Sequence, residues 1–188
     1  GDFPIITETL PDDQEILSKH SKRRPRNEVA RFILDDLDAA IDHLMSESPD
    51  GNRNRLSKKC AYLLKSRVAL FEGTWLKYFK GTAFVPNGPD WPGSSKAYNQ
   101  DYEYPSGNID NEIDYFLTQS MDAAKVVADN VPLVKNKGHF QEGPSDEANP
   151  YFNMFGAEDM SAYNEVLFWR AYDQGSGVTN NVGMHETR

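Results

Sequence analysis

The sequence predicts a mainly α-helical protein in which tetratricopeptide-like helical hairpins carry long irregular loop insertions. Apolar residues recur at steps of three and four over two neighbouring segments, about residues 26–47 and 57–80, which is the period of amphipathic helices. The chain between and after these segments is polar or rich in glycine and proline, and such compositions favour loops. Helices joined by a short polar connection are typically antiparallel neighbours, and this pair has roughly the size of a tetratricopeptide-type hairpin.

The chain begins with a mostly polar segment, residues 1–23, which is predicted to be an extended lead into the first helix. Its only local anchor is the apolar group at positions 3–6. Basic residues cluster where this lead meets the first helix, and they are interpreted as a solvated approach to that helix. They are Lys22, Arg23, Arg24 and Arg26.

The first predicted helix, about 26–47, has an apolar face and a solvent face rich in acids. A polar connection that contains Pro49 and Gly51 follows it and leads to the next helix. The expected core face consists of Val29, Phe32, Ile33, Leu37, Ala40, Ile41 and Leu44. The acids expected on or beside the solvent face are Asp35, Asp36, Asp38 and Asp42.

The second predicted helix, about 57–80, begins after Ser57, which is expected to be its N-cap. Its apolar residues form two rows, so neighbours are expected to cover both flanks of the helix. The main row, which is expected to face the core, is Ala61, Leu64, Val68, Phe71, Trp75 and Phe79. The second row is Leu63, Ala69, Leu70 and Tyr78.

A long irregular stretch and a third helix follow. Residues 81–107 contain four glycines and four prolines, which argue against long regular elements. A helix is predicted over about 109–129, with Asn108 or Asp110 as its cap. Its packed side is expected to contain Ile113, Phe116, Leu117, Ser120, Ala124, Val127 and Ala128.

Residues 131–188 are predicted to be mostly irregular. Within them, we expect a short helix at 151–155, a strand-like apolar run at 166–172 and a turn-rich tail at 173–188. The repeat period expected of stacked helical hairpins is obscured by these insertions.

Composition limits the classes of function. The 188 residues suffice for one domain with a hydrophobic core. A hydrophobic content of 38% and a charged content of 26% indicate that much of the chain is surface or loop. The net charge of −9 argues against a nucleic-acid partner, whose phosphates would be repelled. No run approaches the ~18 continuous apolar residues of a membrane span.

The sequence lacks the signatures of common catalytic and metal sites. The four histidines lie far apart and no C-x-x-C or H-E-x-x-H motif occurs, so neither a metal nor a cofactor is predicted. Cys60 is the only cysteine, which excludes an internal disulfide, and we expect a half-buried thiol. The acid pairs Asp101/Glu103 and Glu158/Asp159 lie in sequence that shows no desolvated environment, which a glycosidase pair would need. We therefore expect no catalytic residue and no enzyme.

Aromatic residues are frequent in residues 81–107, where they alternate with amides and acids. Long loops are usually functional or disordered, and disorder selects against aromatics, so this loop is expected to be ordered. Its rings either stack on sugar faces or pin the loop onto the helices, and both interpretations stay open. The candidate carbohydrate-binding residues are Trp91, Tyr98, Tyr102 and Tyr104, with Trp169 from the later apolar run.

The order of residues resembles the SusD/RagB family of glycan-binding lipoproteins. The matching segments include GDFPIITE at 1–8, RPRNEV at 24–29 and ILDDLDAAIDHL at 33–44. The most specific one, NRLSKKCAYLLKSRVALFEGTWLKYFKG at 54–81, is similar to the family's signature around a tetratricopeptide-like helix. NEVLFWRAYD at 164–173 resembles the segment after the family's fourth helical pair.

The resemblance implies non-catalytic binding of an oligosaccharide or polysaccharide at the cell surface. The glycan would pass to a SusC-like TonB-dependent transporter in the outer membrane. It also implies a surface-exposed lipoprotein whose lipid anchor lies outside this chain, since Cys60 lies within a helix. Members of the family are several hundred residues long, so residues 1–188 are expected to be a single domain piece of a larger protein. The alternative is a helical-repeat scaffold that binds a protein and no glycan.

Overall fold

The computed structural model describes residues 1–136, 149–173 and 175–179. These residues are mainly α-helical, as predicted, with one small antiparallel sheet and two short 3₁₀ helices, Pro92–Ser95 and Ala97–Asn99. Parts of the predicted irregular region and tail lie outside the described residues. The elements are β1 (Phe3–Pro4), α1 (Gln14–His20), β2 (Arg23–Arg24), α2 (Arg26–His43), α3 (Lys58–Phe79), α4 (Ile109–Ala128) and α5 (Pro150–Gly156).

The chain divides into two compact units. The first comprises Gly1–His43 and Ala61–Val126. The second comprises Leu44–Cys60 and Val127–Arg188. That residues 1–188 form a single domain piece of a larger protein stays a prediction.

The N-terminal segment is more regular than expected. β1 pairs with β2, which places Phe3 opposite Arg24. Between the strands lies α1, a helix that the sequence analysis missed. The carboxylate of Asp13 caps it by accepting a hydrogen bond from the backbone N–H of Ile16 at 2.9 Å. Asp13 directly before a short run was the available signal, but Ile16 and Leu17 are the run's apolar residues, and two adjacent residues are too few to form a helical stripe.

The helices α2, α3 and α4 of the first unit lie close to their predicted bounds. Asn108 caps α4, since its side-chain oxygen accepts a hydrogen bond from the backbone N–H of Asn111 at 2.9 Å. The four acids of α2 lie on its solvent side as predicted. The buried core that the three helices share with the following loop consists of Ala30, Leu34, Ala69, Leu76, Val85, Ile113 and Phe116.

The predicted core faces of α2 and α3 are only partly correct. Ile41 and Ala61 are buried as predicted, and three other predicted residues of α3 pack against the core, namely Val68, Trp75 and Phe79. Leu64 is 50% exposed and Phe71 is 60% exposed, whereas Leu76 is fully buried. On α2, Ile33 is 39% exposed and its neighbour Leu34 is buried instead. In the second predicted row of α3, only Ala69 is buried. The buried residues of α3 are Ala61, Lys65, Ser66, Ala69, Glu72, Gly73 and Leu76.

Polar and small residues occupy the buried face of α3 because neighbouring helices supply partners for them. The Nζ of Lys65 lies 2.6 Å from a carboxylate oxygen of Asp38 on α2. The hydroxyl of Ser120 on α4 donates to the backbone oxygen of Ser66 at 2.9 Å. At Gly73, a Cβ atom would lie 2.9 Å from Leu117, so α4 approaches closely there. Buried polar groups with partners replace the apolar stripe that periodicity favoured.

The second unit contains α5, whose predicted position is confirmed. Asn149 caps this helix by accepting a hydrogen bond from the backbone N–H of Tyr151 at 3.0 Å. The predicted strand at 166–172 is wrong, because these residues form no strand. The backbone N–H of Trp169 instead donates to the carbonyl of Arg53 at 3.1 Å. Cys60 is half-buried, as expected, with its thiol near the carbonyl of Leu167.

Replacement of a buried and an exposed residue of α3 tests the observed register. Leu76→Ala should lower the free energy of unfolding by about 2–5 kcal/mol, because it leaves a cavity in the core. Phe71→Ala removes a larger side chain that is mostly exposed, so it should cost only about 0.5 kcal/mol. Urea unfolding followed by circular dichroism measures both. A larger loss for Phe71→Ala than for Leu76→Ala would restore the register expected from sequence.

Candidate binding pocket in the first unit

Hydrogen bonds fasten the loop of residues 81–107 to the helices and to itself. The indole N–H of Trp75 on α3 donates to the carbonyl of Phe84 at 3.0 Å. Farther along, the amide of Asn87 donates to the carbonyl of Tyr102 at 3.0 Å, and the hydroxyl of Tyr104 donates to the carbonyl of Pro86. The loop is therefore ordered, as its aromatic content predicted.

Trp91 anchors the middle of this loop. Its side chain is only 3% exposed, and its indole N–H donates to the carboxylate of Asp2 at 3.0 Å. The other carboxylate oxygen of Asp2 accepts a hydrogen bond from the backbone N–H of Arg26 at 3.0 Å. Gly93 lies against the ring, where a Cβ atom would come within 2.1 Å of it. The N-terminal segment, the loop and α2 thus meet at one carboxylate.

Two tyrosines extend the aromatic cluster that begins at Trp91. The ring of Tyr102 lies 5.7 Å from that of Trp91 and 5.4 Å from that of Tyr104, measured between centroids. The hydroxyl of Tyr102 donates to the side-chain oxygen of Asn27 at 2.7 Å. Burial raises the pKa of both phenols, so they are neutral donors throughout the physiological range.

Glu112 on α4 lies at the centre of a buried polar network. Its carboxylate, which is inaccessible to solvent, accepts hydrogen bonds from the guanidinium of Arg31 and the amide of Asn27, each at 2.8 Å. The backbone N–H of Ser106 donates at 3.2 Å. Burial alone would raise the pKa of Glu112, but these donors outweigh it and hold the pKa below its usual range. The network ties the end of the loop to α2.

The lowered pKa of Glu112 predicts a loss of stability in acid. Because the folded-state pKa lies below the unfolded one, this stabilisation is complete above about pH 4.3 and is lost as pH falls through the folded value. Glu112→Gln should therefore be less stable than the native protein at pH 7 but lose less stability between neutral and acidic pH. Thermal melts across this range measure the difference, with Asp114→Asn, an exposed acid on the same helix, as control. Parallel pH profiles for the native protein and Glu112→Gln would contradict the prediction.

Arg26 and Glu72 form a second buried pair, which joins α2 to α3. Two guanidinium nitrogens of Arg26 reach the carboxylate at 2.7–3.1 Å, and both side chains are at most 6% exposed. The guanidinium carbon also lies 4.2 Å from the ring centre of Trp75, a distance typical of cation–π contacts. A further pair joins Asp38 of α2 to Lys65 of α3. Arg26 precedes Asp38 along α2, whereas its partner Glu72 follows Lys65 along α3, so the two helices run antiparallel.

A pocket of about 440 Å³ opens beside these anchors. Trp91 and Trp75 line it, together with the more exposed rings of Phe84 and Tyr98, which are 61% and 38% exposed. Its polar lining comes from Asp2, Arg23, Arg26, Lys96 and Asn99. Aromatic surface beside a few polar groups is the usual composition of a small-molecule site.

An acidic groove of about 360 Å³ shares Tyr98 and Asn99 with this pocket. Asp101 and Glu103, both exposed, line it with Arg24 and Glu28. The last two form an ion pair at 2.6 Å. Asp101 and Glu103 lie in solvent rather than in a desolvated cleft.

The candidate carbohydrate-binding residues are only partly brought together. Tyr98 is accessible at the rim of the pocket, whereas Trp91 and Tyr104 are buried, which favours the interpretation that these two rings pin the loop onto the helices. That they contact a sugar stays a prediction. They are buried because the loop folds back onto α2 and the N-terminal segment. Tyr102 is half-buried beside them. Trp169 belongs to the second unit, where its indole N–H donates to the carbonyl of Asn52 at 2.7 Å.

Sequence reasoning missed the polar half of the pocket. Arg23 was interpreted as part of a solvated basic run, and Asp2 and Lys96 carried no signal at all. Trp75, which is predicted to face the core, packs against it and also lines the pocket. The basic run beside β2 was the one pattern that could have indicated a charged site.

The chain matches no protein-family model, no curated protein and no solved structure in the comparisons made. Among the described residues, no helix is both long and apolar enough to cross a membrane. The same residues contain no group of three or more histidine, cysteine or acidic side chains arranged to hold a metal ion.

The burial of Trp91 predicts a structural role that can be measured. Trp91→Ala should lower the free energy of unfolding by about 3–5 kcal/mol, because it empties a large buried volume and leaves Asp2 without a donor. Phe84→Ala is the matched control, since Phe84 is an exposed aromatic of the same loop. Chemical unfolding compares the two. A Trp91→Ala protein as stable as the native one would contradict the anchoring role.

Proposed function

We propose that this protein binds a carbohydrate without cleaving it, in the pocket beside residues 81–107. The observation that carries the proposal is a preformed pocket in which exposed aromatic rings, Phe84 and Tyr98, stand beside fixed polar groups. Sugars are held in this way by aromatic rings that pack on their C–H faces and by polar groups that bind their hydroxyls. The volume lies within the roughly 300–1,000 Å³ usual for small-molecule sites.

The anchors around the pocket support this proposal. Trp91 is held by Asp2, and the amide of Asn99 donates to the carbonyl of Gly93 at 3.3 Å. A pocket whose walls are held in place loses little conformational freedom on binding, which favours affinity for weakly held ligands.

The resemblance to the SusD/RagB family extends the proposal to a cellular role. In that role, α2 and α3 form one tetratricopeptide-like hairpin and the loop of residues 81–107 is an insertion that carries the site. The bound glycan passes to a SusC-like TonB-dependent transporter. The protein is held at the outer-membrane surface by a lipid anchor outside this chain.

A helical-repeat scaffold is the second candidate function. It is favoured by the apolar side chains that α3 exposes, among them Leu64, Phe71 and Tyr78. Such a scaffold would bind a partner protein with this face and show no affinity for glycans.

Alanine variants of the accessible pocket aromatics test the proposal. Native gels cast with a panel of plant and host polysaccharides first identify a ligand by retardation of the protein. For that ligand, Phe84→Ala and Tyr98→Ala should each weaken binding about tenfold or more, because truncation of an aromatic anchor is costly at small interfaces. Their melting temperatures should change little. Isothermal calorimetry measures the affinities.

Tyr78→Ala is the matched control, since Tyr78 is an exposed aromatic on α3 that does not line the pocket. It should leave glycan affinity unchanged. Glycan binding that is insensitive to Phe84→Ala and Tyr98→Ala would place the site elsewhere. Absence of retardation by every polysaccharide would overturn the proposal and favour the scaffold.

A further inference from the structure

Two cationic side chains line the pocket without an acidic partner. Arg23, on β2, and Lys96, between the two 3₁₀ helices, are both exposed. Within the described part of the chain, neither forms an ion pair. A third positive charge lies nearby, since the Nζ of Lys22 is 5.8 Å from the ring centre of Tyr98 at the rim.

The other charged side chains that line the pocket are already engaged. Arg26 is paired with Glu72 below the surface. Both carboxylate oxygens of Asp2 accept hydrogen bonds, one from Trp91 and one from the backbone of Arg26. Asp2 is therefore committed as a structural acceptor, and Arg23 and Lys96 are the side chains left to bind a ligand's charge.

The positive charge of Arg23 and Lys96 contrasts with the negative charge of the rest of the chain. The chain as a whole carries a net charge of −9, and Asp101 and Glu103 line the groove that shares Tyr98 with the pocket. An anionic ligand is repelled by most of this surface and attracted where Arg23 and Lys96 stand. Arg23 and Lys96 are thus the attractive charges that an anionic ligand would meet in this pocket.

We propose that the pocket selects acidic sugars, whose ring carboxylate is bound by Arg23 and Lys96 while the ring packs on Phe84 and Tyr98. This inference rests on the proposed carbohydrate binding and names its substrate class. The planar guanidinium of arginine matches a carboxylate with two parallel hydrogen bonds, and lysine adds a point charge. The arrangement of two aromatic rings beside two free cations fits a carboxylated sugar better than a neutral one.

The test compares acidic glycans with uncharged counterparts of similar shape. Trigalacturonate and its trimethyl ester differ in charge, and sialyllactose with its methyl ester provides a second pair, so the two arms distinguish a uronate from a sialic acid. Calorimetry at low salt should show that at least one acid binds about tenfold or more tighter than its neutral counterpart. The preference should weaken as salt is added, because salt screens exposed charges.

The double variant Arg23→Gln/Lys96→Gln should remove this preference and leave the melting temperature unchanged, since both side chains are exposed. Lys77→Gln is the control for charge alone: Lys77 is exposed on α3 and does not line the pocket. It should retain the preference.

Neutral and acidic partners that bind equally well, or a preference that survives the double variant, would overturn the inference while carbohydrate binding stands. Binding of neither member of either pair would also overturn it. Carbohydrate binding is then judged separately by the polysaccharide panel, so failure of the acidic-sugar inference can be distinguished from failure of carbohydrate binding.

Discussion

The buried ion pair of Arg26 and Glu72 is the constraint on which the first unit depends. Burial of two charges is costly, and here the cost is offset by bidentate hydrogen bonds and by the guanidinium lying over Trp75. Removal of either partner would leave a buried charge unpaired. The pair fixes the register of α2 against α3. The backbone N–H of Arg26 also donates to Asp2, which in turn accepts a hydrogen bond from Trp91. Arg26 therefore contributes both to the packing of α2 on α3 and to the wall of the pocket.

Hydrophobic periodicity located α2, α3 and α4 but not α1, and it misplaced part of the core face of α2 and of α3. Leu64 and Phe71 fit an apolar stripe, and such a stripe is the signal by which a helix sequence indicates its buried face. Glu72 and Lys65 are buried because Arg26 and Asp38 face them from α2. Such pairing depends on the tertiary arrangement, which local patterns do not contain.

The candidate site was predictable in part. The abundance of aromatic residues indicated an ordered loop, and Tyr98 is accessible there. Trp91 is buried through a contact with Asp2, 89 positions earlier in the chain, and no property of the loop itself signals that bond. The free cation Arg23 was visible as part of a basic run, but the fold was needed to separate it from Arg26, whose charge is paired.

Gly73 sets the separation of α3 and α4, because an added methyl group would meet Leu117 and Phe116 at 2.9–3.2 Å. Glu72, the residue before Gly73, pairs with Arg26. Trp75, two positions after Gly73, lines the pocket. A side chain at position 73 would require the end of the Leu117 side chain to move and the neighbouring atoms of α4 to yield by a few tenths of an ångström. Position 73 does not line the pocket, yet its packing lies beside residues that do, so replacing Gly73 with alanine to stabilise α3 would instead strain the contact with α4.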